Sequence, residues 1–365
     1  MNKINSLYIH IPFCETICDY CDFTKLQYFH NFAVKYIETL KKEINELPKN
    51  HKFKTIFIGG GTPTSLEDDL FEELLKISSV LLDKNGEFSI ETNPESLSIN
   101  KIYLMKKYGI NRVSIGVEST NDKILKSINR NHTFNDVKKA VENVKKVNIS
   151  NINIDLILGL PNVSEKMLIN DIKNVISLGV THISCYGLTV HEHTVFFNKG
   201  ILPPLDDEIR KMYDVVESIL IDNGFIHYEV SNWCKPNFEC KHNLTYWKDE
   251  EYYAIGLGAS GYINGVRFTN TKNLTKYFEN YKLKEYEENI SKEDDMTYFI
   301  MLNLRTTFGL DLNKFKSIYN KDLYLDKKQY LDKLISSGII KLENNILIPT
   351  YEALMTLDQI ILNLI

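Results

Sequence analysis

The chain has 365 residues, 43% of them hydrophobic and 25% charged, with a formal net charge of -5. This length suits one large α/β domain of about 250 residues with a smaller domain beside it. Because the net charge is negative and no basic cluster is evident, we do not expect nucleic acid to be the main partner.

The amino-terminal residues lack the apolar core of a signal peptide, and no apolar run is long enough to cross a bilayer. The sequence therefore predicts a cytosolic protein without a transmembrane segment. Thiols stay reduced in that compartment, so clustered cysteines there favour metal binding over disulfide formation.

An alternating, β-branched segment, Leu7–Ile11, predicts the first strand and leads into Cys14, Cys18 and Cys21, spaced C-x3-C-x2-C. A structural zinc site uses four ligands, usually as two pairs, and no second pair with matching spacing follows. A 4Fe-4S cube held by three thiolates leaves one iron open to another molecule. The spacing favours such a cluster, with zinc and three unrelated cysteines as the alternatives.

Six strand-like segments alternate with helical patterns and predict a parallel sheet with helices outside it. The segments are Leu7–Ile11, Thr55–Ile58, Glu87–Thr92, Arg112–Val117, Asn151–Leu158 and His182–Leu188. Six such units indicate an α/β fold with an incomplete (β/α)6 barrel.

One face of these strands is apolar and the other is polar, because successive side chains of a strand point to opposite faces. The polar face carries Tyr8, His10, Glu91, Asn93, Arg112, Ser114, Gly116, Glu118, Asn153, Asp155, His182, Ser184 and Tyr186. A sheet with one solvated face is the alternative, but parallel sheets are normally covered on both sides. We therefore expect a polar barrel interior that holds a polar ligand.

Three positions in or after the strands are candidate ligand contacts. Gly59–Pro63 follows the second strand, where missing Cβ atoms let the backbone approach a ligand, although ordinary turn chemistry explains the glycines equally well. Glu91 ends the third strand, where its carboxylate can accept hydrogen bonds from a ribose or an amine. Asp155 is a lone carboxylate in an apolar strand and needs a partner, either Arg130 or another internal ion pair.

From about residue 190 the pattern changes, and a helix is predicted over Asp207–Asn223. Histidine and aromatic residues then become concentrated, including His242, Tyr246 and Trp247. Histidine can bind iron through a neutral nitrogen, and flat rings suit a porphyrin. On the residues alone, however, a simple covering of the open barrel is the stronger interpretation.

The remaining residues predict three helices, a short strand pair at Ile339–Leu342 and Ile346–Ile348, and a last helix. This order is typical of a winged-helix-like unit, here with a lid or docking role because no basic cluster is present. We expect a partial barrel at 1–190, a barrel extension at 191–290 and an α+β, winged-helix-like domain at 291–365. Cys185 and Cys234 are interpreted as structural, and the role of Cys240 is left open.

Four motifs taken together resemble the radical S-adenosylmethionine (SAM) family, and within it the oxygen-independent coproporphyrinogen III oxidase group. They are Tyr8-x-His10-Ile11-Pro12-Phe13-Cys14, Gly59–Pro63, Asp155-Leu156-Ile157-x-Gly159-Leu160-Pro161 and His242-Asn243-x-x-Tyr246-Trp247. The chain is most similar to the heme chaperone branch of that group. The dehydrogenase branch usually has a fourth cysteine where this chain has Phe23, and it also has a longer amino-terminal extension.

The resemblance implies particular roles for these residues. Cys14, Cys18 and Cys21 would hold a 4Fe-4S cluster, with SAM on its fourth iron. The residues implied around SAM are Tyr8, Gly60, Gly61, Thr62, Glu91, Glu118, Arg130 and Asp155. The residues implied for heme are His242, as axial ligand, with Tyr246 and Trp247. Family members more often have Gln at position 118, so Glu118 adds a negative charge that Arg112 or Arg130 would have to neutralise.

The function implied is a cytosolic heme chaperone that delivers heme to acceptor hemoproteins, such as respiratory ones. One alternative is radical oxidative decarboxylation of coproporphyrinogen, and another is a non-enzymatic role in assembly. The sequence leaves open whether SAM is cleaved, so catalytic activity is not assigned, and it leaves a dimer possible.

Overall fold

The computed structural model describes residues 3–365. Its strands are β1 Ser6–Ile11, β2 Phe13–Cys14, β3 Leu26–Gln27, β4 Phe53–Gly60, β5 Leu82–Thr92, β6 Arg112–Glu118, β7 Asn151–Leu158, β8 His182–Gly187, β9 Ile226–Glu229, β10 Asn232–Cys234, β11 Tyr253–Ile255, β12 Ser260–Ile263, β13 Val266–Asn270, β14 Lys284–Asn289, β15 Leu310–Asp311, β16 Ile340–Glu343 and β17 Ile346–Pro349. Its α-helices are α1 His30–Asn45, α2 Asp68–Ser79, α3 Ile99–Lys107, α4 Asp122–Ser127, α5 Phe134–Lys146, α6 Glu165–Ser177, α7 Val195–Asn198, α8 Asp206–Asp222, α9 Lys241–Trp247, α10 Leu274–Glu279, α11 Lys292–Asn303, α12 Leu312–Tyr319, α13 Leu323–Asp326, α14 Lys328–Ser336, α15 Tyr351–Met355 and α16 Leu357–Leu364. Short 3-10 turns occupy Pro63–Ser65 and Pro94–Ser96. Among residues 3–365, no helix has both the length and the apolar character needed to cross a membrane.

The main sheet has nine strands in the order β11-β1-β4-β5-β6-β7-β8-β10-β9. Strands β11 to β8 pair in parallel, whereas β10 pairs antiparallel with both β8 and β9. The two edge strands, β11 and β9, do not pair with each other. The expected incomplete α/β barrel is therefore confirmed, and short strands extend both of its edges.

The polar face of the sheet surrounds a cavity. Tyr8, Phe57, Arg112 and Ser184, from β1, β4, β6 and β8, all line that one cavity, so the sheet curves around it. The opposite face packs its apolar residues, such as the fully buried Ile9, into the core formed with the helices. This division explains the alternation within each strand, because parallel strands are buried on both faces.

Helix α9 lies across the end of the barrel where the strands begin. The Glu87 carboxylate in β5 accepts hydrogen bonds from the backbone N–H groups of Lys241 and His242, at 2.9 and 3.1 Å. The hydroxyl groups of Thr245 and Ser6 are 2.7 Å apart. Since Ser6 starts β1, helix α9 forms a floor, and the strands end on the opposite side, toward the cysteines.

The carboxyl-terminal residues have a hydrophobic core of their own, which runs from Phe299 to Leu364. Strands β15, β17 and β16 form its three-stranded sheet. Backbone hydrogen bonds join this part to the edge of the barrel, from Val230 N–H to Arg305 O at 3.1 Å and from Thr307 N–H to Tyr228 O at 3.0 Å. The expected order was three helices, a strand pair and a last helix. The structure has four helices before the pair, the additional strand β15 and a second terminal helix.

Candidate functional site

The cysteine triplet lies in the loop between β2 and β3, directly after the first barrel strand. Cys14 is buried at the end of β2, and Cys18 and Cys21 are partly exposed, linked by a backbone bond from Cys21 N–H to Cys18 O at 3.3 Å. All three are free thiols and border one pocket of about 310 Å³. The loop thus points its three sulfur atoms toward the carboxyl end of the barrel.

Two donors reach the sulfur atoms. The Thr62 hydroxyl lies 3.6 Å from Cys14 Sγ, and Arg130 Nη1 lies 3.5 Å from Cys18 Sγ. Burial raises the pKa of Cys14 to about 11, although the Thr62 hydrogen bond acts to lower it. A thiolate there needs compensating positive charge, which an iron–sulfur cluster supplies.

The arrangement of these cysteines is compatible with an iron–sulfur cluster. Among the residues described, no three His, Cys, Asp or Glu side chains converge closely enough to hold one metal ion. A 4Fe-4S cube does not need that convergence, because each thiolate binds a different iron. The donors to Cys14 and Cys18 also suit sulfur atoms that carry negative charge.

The pocket beside the cysteines contains most of the residues implied for SAM. Those that line it are Gly60, Gly61, Thr62, Glu91, Glu118, Arg130 and Asp155. Tyr8 is the exception, since it borders two neighbouring cavities instead. Its hydroxyl donates to His10 Nδ1 at 3.0 Å, because His10 Nε2 bonds the Thr24 carbonyl at 2.8 Å and must carry the ring proton.

The glycines after β4 are required by the surrounding protein as well as by any ligand. A Cβ atom on Gly60, whose φ is +117°, would lie 2.5 Å from the His10 ring. A Cβ atom on Gly61 would lie 2.8 Å from the Phe13 carbonyl oxygen. Gly61 N–H donates to Ile11 O at 2.8 Å, so the glycine turn is tied to the strand that leads into Cys14.

Glu91 closes one wall of the pocket. Its Oε2 accepts a hydrogen bond from the Gly60 N–H at 2.9 Å. Burial raises the pKa of Glu91 to about 7, and the Gly60 N–H opposes that shift. The carboxyl group therefore sits near its midpoint of ionisation at neutral pH.

Arg130 does not pair with Asp155, so that possible partnership is wrong. Asp155 accepts hydrogen bonds from the Ser114 hydroxyl and the Asn153 amide, both at 2.8 Å. The Arg130 guanidinium instead donates to the Asn93 side chain and the Gly116 carbonyl, and it lies 3.9 Å from Glu118. The sequence could not assign these partners because they depend on which neighbouring strands face each other.

Arg130 lies close enough to Glu118 to balance its negative charge. It ends β6 at a φ of +66° and is almost fully buried, with Arg130 as its cationic neighbour. Burial raises the pKa of Glu118 to about 7, and Arg130 acts to lower it. Of the two arginines considered from the sequence, Arg130 is the one that forms the ion pair.

Asn93 and Lys25 were not assigned a role in ligand binding from the sequence. The Asn93 amide donates to Thr62 Oγ1 at 3.1 Å and its oxygen accepts from Arg130, so it joins the glycine turn to the arginine. Strand alternation placed Asn93 on the interior face, which was the available signal. Lys25 donates to the Cys21 carbonyl and lines the pocket, and its position four residues after Cys21 was the corresponding clue.

The residues implied for heme lie on α9 at the barrel floor, at the far end of the strands from the cysteines. His242 is fully buried, stacks on Phe57 at 5.2 Å, and lines a cavity of about 170 Å³ with Tyr246. Trp247 is partly buried and packs against a separate group around Tyr228. The structure thus brings His242 and Tyr246 together and directs Trp247 elsewhere.

The remaining cysteines are all buried away from the triplet. Cys185 is in β8 and Cys234 is in β10. Cys240 precedes α9, and its Sγ lies 3.6 Å from Glu87 Oε1. Burial raises the pKa of each of these thiols, to about 12 in Cys234 and Cys240, so they stay protonated at neutral pH.

Comparison with known proteins agrees with this geometry. Residues 8–175 match the Radical SAM superfamily and residues 290–356 match the HemN C-terminal domain. The solved structure of coproporphyrinogen III oxidase (HemN) from Escherichia coli, a radical SAM enzyme, has a TM-score of 0.85 at 20% identity, covering 99% of this chain and 90% of that one. That likeness establishes the fold, and the radical SAM family implies a 4Fe-4S cluster and SAM.

Two relatives are similar along most of their length. Heme chaperone HemW of Lactococcus lactis subsp. lactis is 40% identical over 325 residues, covering 87% of this chain and 86% of that protein. Heme chaperone HemW of Bacillus subtilis is 37% identical over 352 residues, covering 92% of this chain and 93% of that protein. The chain therefore belongs to the HemW family of radical SAM proteins.

Proposed function

We propose that this protein is a cytosolic heme chaperone, which binds heme and passes it to acceptor hemoproteins such as those of respiration. The observation that carries the proposal is its 40% identity to a HemW heme chaperone over 87% of the chain. The structure supports it with a buried histidine beside aromatic rings at the barrel floor. A dimer is compatible with this function.

In this proposal Cys14, Cys18 and Cys21 hold the 4Fe-4S cluster, and the pocket beside them holds SAM. The cluster, when bound, supplies an iron with an open position for the SAM amino and carboxylate groups. Thr62 and Arg130 donate toward the sulfur atoms and so stabilise their negative charge. Asp155, fixed by Ser114 and Asn153, presents a carboxylate wall to a polar ligand such as SAM.

The hydrogen bonds of His242 determine which of its nitrogens is available to iron. The Thr55 hydroxyl donates to Ser6 Oγ at 2.8 Å, so His242 Nδ1 must donate to Thr55 Oγ1 at 2.9 Å. His242 Nε2 therefore carries no proton and accepts from the Tyr246 hydroxyl at 2.7 Å. Burial lowers the pKa of His242 to about 3, which keeps the ring neutral, as an axial ligand must be.

Axial ligation by His242 consequently requires the Tyr246 hydroxyl to move away from Nε2. We expect His242→Ala to weaken hemin binding by about tenfold or more, because the coordinate bond is lost. Tyr246→Phe should bind hemin at least as tightly as the unchanged protein, because it removes the competing hydroxyl. Titration with hemin, followed by the Soret band of cluster-reconstituted protein, measures both variants.

A matched control is His132→Ala, which removes another buried histidine that contacts Glu95 and the Val117 carbonyl, far from α9. It should bind hemin as the unchanged protein does. The absence of any Soret shift with the unchanged protein would overturn the chaperone function. Equal binding by His242→Ala would remove His242 as the axial ligand.

The second candidate function is radical oxidative decarboxylation of coproporphyrinogen. One observation favours it, namely that a pocket of about 310 Å³ lies against the cysteines, although a simple heme carrier needs no SAM site. Anaerobic incubation with dithionite, SAM and coproporphyrinogen tests it. Formation of protoporphyrinogen would make this enzymatic function the better conclusion.

A further inference from the structure

Arg112 is a buried cation without a partner. It begins β6 and is 2% exposed. Among residues 3–365 its guanidinium donates no hydrogen bond, and no carboxylate oxygen lies within the 4.0 Å of an ion pair. Buried charges in folded proteins are normally paired, so an arginine in this state indicates a missing anionic partner.

The two carboxylates that act most strongly on Arg112, Glu87 and Asp155, do not fill that role because each accepts hydrogen bonds from other groups. Glu87 accepts from the N–H groups of Lys241 and His242 and so caps α9. Asp155 accepts from Ser114 and Asn153. Both contribute to the negative field that raises the pKa of Arg112 against the effect of burial, so the guanidinium remains charged.

Arg112 lines the cavity of about 170 Å³ between the cysteine pocket and α9. Polar groups complete its walls, including the Tyr8 and Tyr186 hydroxyls, the Asn153 amide and the carboxyl groups of Glu91 and Asp155. A cavity of this size is too small for a macrocycle but can accept a short carboxylate side chain. Its size therefore suits the end of a larger ligand, and Arg112 offers that end a positive charge beside the carboxyl groups of Glu91 and Asp155.

A larger groove of about 410 Å³ adjoins this cavity and shares Tyr8 and Tyr246 with it. Its walls include the exposed Phe23 ring and Tyr252, whose ring lies 4.6 Å from that of Tyr246. Lys272 is at its edge and forms no ion pair within the described chain. Flat rings and a free amine suit a planar macrocycle that carries acidic arms.

We propose that Arg112 binds one propionate of heme, which enters the inner cavity between Tyr8 and Tyr246 while the macrocycle lies in the groove of Phe23, Tyr246 and Tyr252. Lys272 meets the second propionate at the edge of that groove. This inference rests on the proposed heme function and adds the residues that recognise the acidic arms. A guanidinium can bind a carboxylate through two parallel hydrogen bonds, which gives it selectivity for that group.

The test compares Arg112→Gln and Arg112→Lys with the unchanged protein, using hemin and hemin dimethyl ester as probes. We expect Arg112→Gln to bind hemin about tenfold or more weakly, because a charge-assisted bond is lost, and Arg112→Lys to be intermediate. The ester has no carboxylate, so its affinity should be equal in all three proteins. Equal hemin affinity in all three would overturn the proposal.

A purely structural role for Arg112 predicts a different result. It would lower the melting temperature of Arg112→Gln without ligand and weaken hemin and its ester alike, and that pair of results would overturn the proposal. The ester separates the two roles, because losing the attraction of Arg112 to Glu87 and Asp155 can lower the melting temperature by itself but would not spare the ester. Arg267→Gln is the matched control, since Arg267 is bonded to Asp249 at 2.6 Å and its loss should destabilise the protein.

Sodium propionate separates a failure of this inference from a failure of the heme function. In one outcome the unchanged protein does not bind hemin, but propionate raises its melting temperature and leaves that of Arg112→Gln unchanged. Both heme proposals are then wrong, and the arginine binds a free carboxylic acid. If the unchanged protein binds hemin and Arg112→Gln binds it with the same affinity, the heme function stands and the proposed role of Arg112 is wrong.

Discussion

Gly60 shows how one missing side chain supports the site. Its φ of +117° is strained for any residue with a Cβ atom, and that atom would lie 2.5 Å from the His10 ring. We expect Gly60→Ala to reduce the free energy of unfolding by about 2–4 kcal/mol, from backbone strain together with the clash. Urea denaturation of the variant measures this loss.

Gly109→Ala is the matched control for that effect. Gly109 also has a positive φ, +87°, but a Cβ atom there meets nothing within 4 Å. It should lose only about 1 kcal/mol, the part due to strain. Equal losses in the two variants would show that the contact with His10 contributes nothing.

The residues of the site were easier to predict than their partners. Alternation within strands correctly placed Ser114, Asn153 and Asp155 on the interior face, because a strand has a fixed period of two. The partner predicted for Asp155 was wrong because cross-strand contacts depend on strand register, which cannot be read from a single sequence. The hydrogen-bond partners of the two His242 ring nitrogens could not be predicted either, because Thr55 lies 187 residues away along the chain.

Helix α9 depends on a cap supplied by a distant strand. Glu87, in β5, accepts from the N–H groups of Lys241 and His242, which a seven-residue helix cannot satisfy internally. We expect Glu87→Ala to cost about 1–2 kcal/mol of unfolding free energy and to speed amide exchange in α9. Urea denaturation and hydrogen exchange of Leu244 to Trp247 measure the two effects.

Ser98→Ala serves as the control for this cap. Ser98 accepts the Lys101 N–H at 3.2 Å and begins α3 on the outside of the barrel. Its loss should cost about 1 kcal/mol but leave amide exchange in α9 unchanged. If α9 exchanges at the same rate in Glu87→Ala as in the unchanged protein, the carboxylate does not hold the barrel floor.

Long elements were predictable and short ones were not. The six parallel strands and α8 were placed within a few residues, because five or more residues give a readable period. Strands β11 and β15 have three and two residues, so they show no alternation, and their pairing with β1 and β17 depends on tertiary contacts. The short strands at the sheet edges could therefore not be predicted from the sequence.

The whole molecule places its two candidate sites at opposite ends of one barrel. The cysteine loop follows the carboxyl end of β1, and α9 covers the end where β1 begins. The cavity around Arg112 lies between them and shares Asp155 and Tyr186 with the cysteine pocket. A ligand in that cavity would consequently lie between the cysteine pocket and α9.

The carboxyl-terminal unit joins this barrel at a buried carboxyl group, Glu229. It is fully buried in β9 beside Thr306, and only its Oε2 has a partner, the Ser231 N–H at 3.3 Å. Burial raises its pKa from 4.5 to about 8, against the opposing effects of Ser231 and Arg305. The folded protein therefore binds this proton more tightly than the unfolded chain does.

The pKa of Glu229 makes the stability of the joint depend on pH. Stability should be highest below the unfolded value of 4.5, fall as the pH rises to about 8, and then level off. Glu229→Gln stays neutral and still accepts the Ser231 N–H, so it should lack this fall. We expect its advantage in unfolding free energy to be about 3 kcal/mol larger near pH 8.5 than near pH 5.5.

Urea denaturation of Glu229→Gln and the unchanged protein at both pH values measures that difference. Glu287→Gln is the control, because Glu287 is an exposed carboxylate in β14 and its replacement should change stability little at either pH. An advantage of Glu229→Gln that is the same at both pH values would mean that Glu229 ionises alike in the folded and unfolded chain. In that case the joint between the barrel and the carboxyl-terminal unit would not weaken as the pH rises.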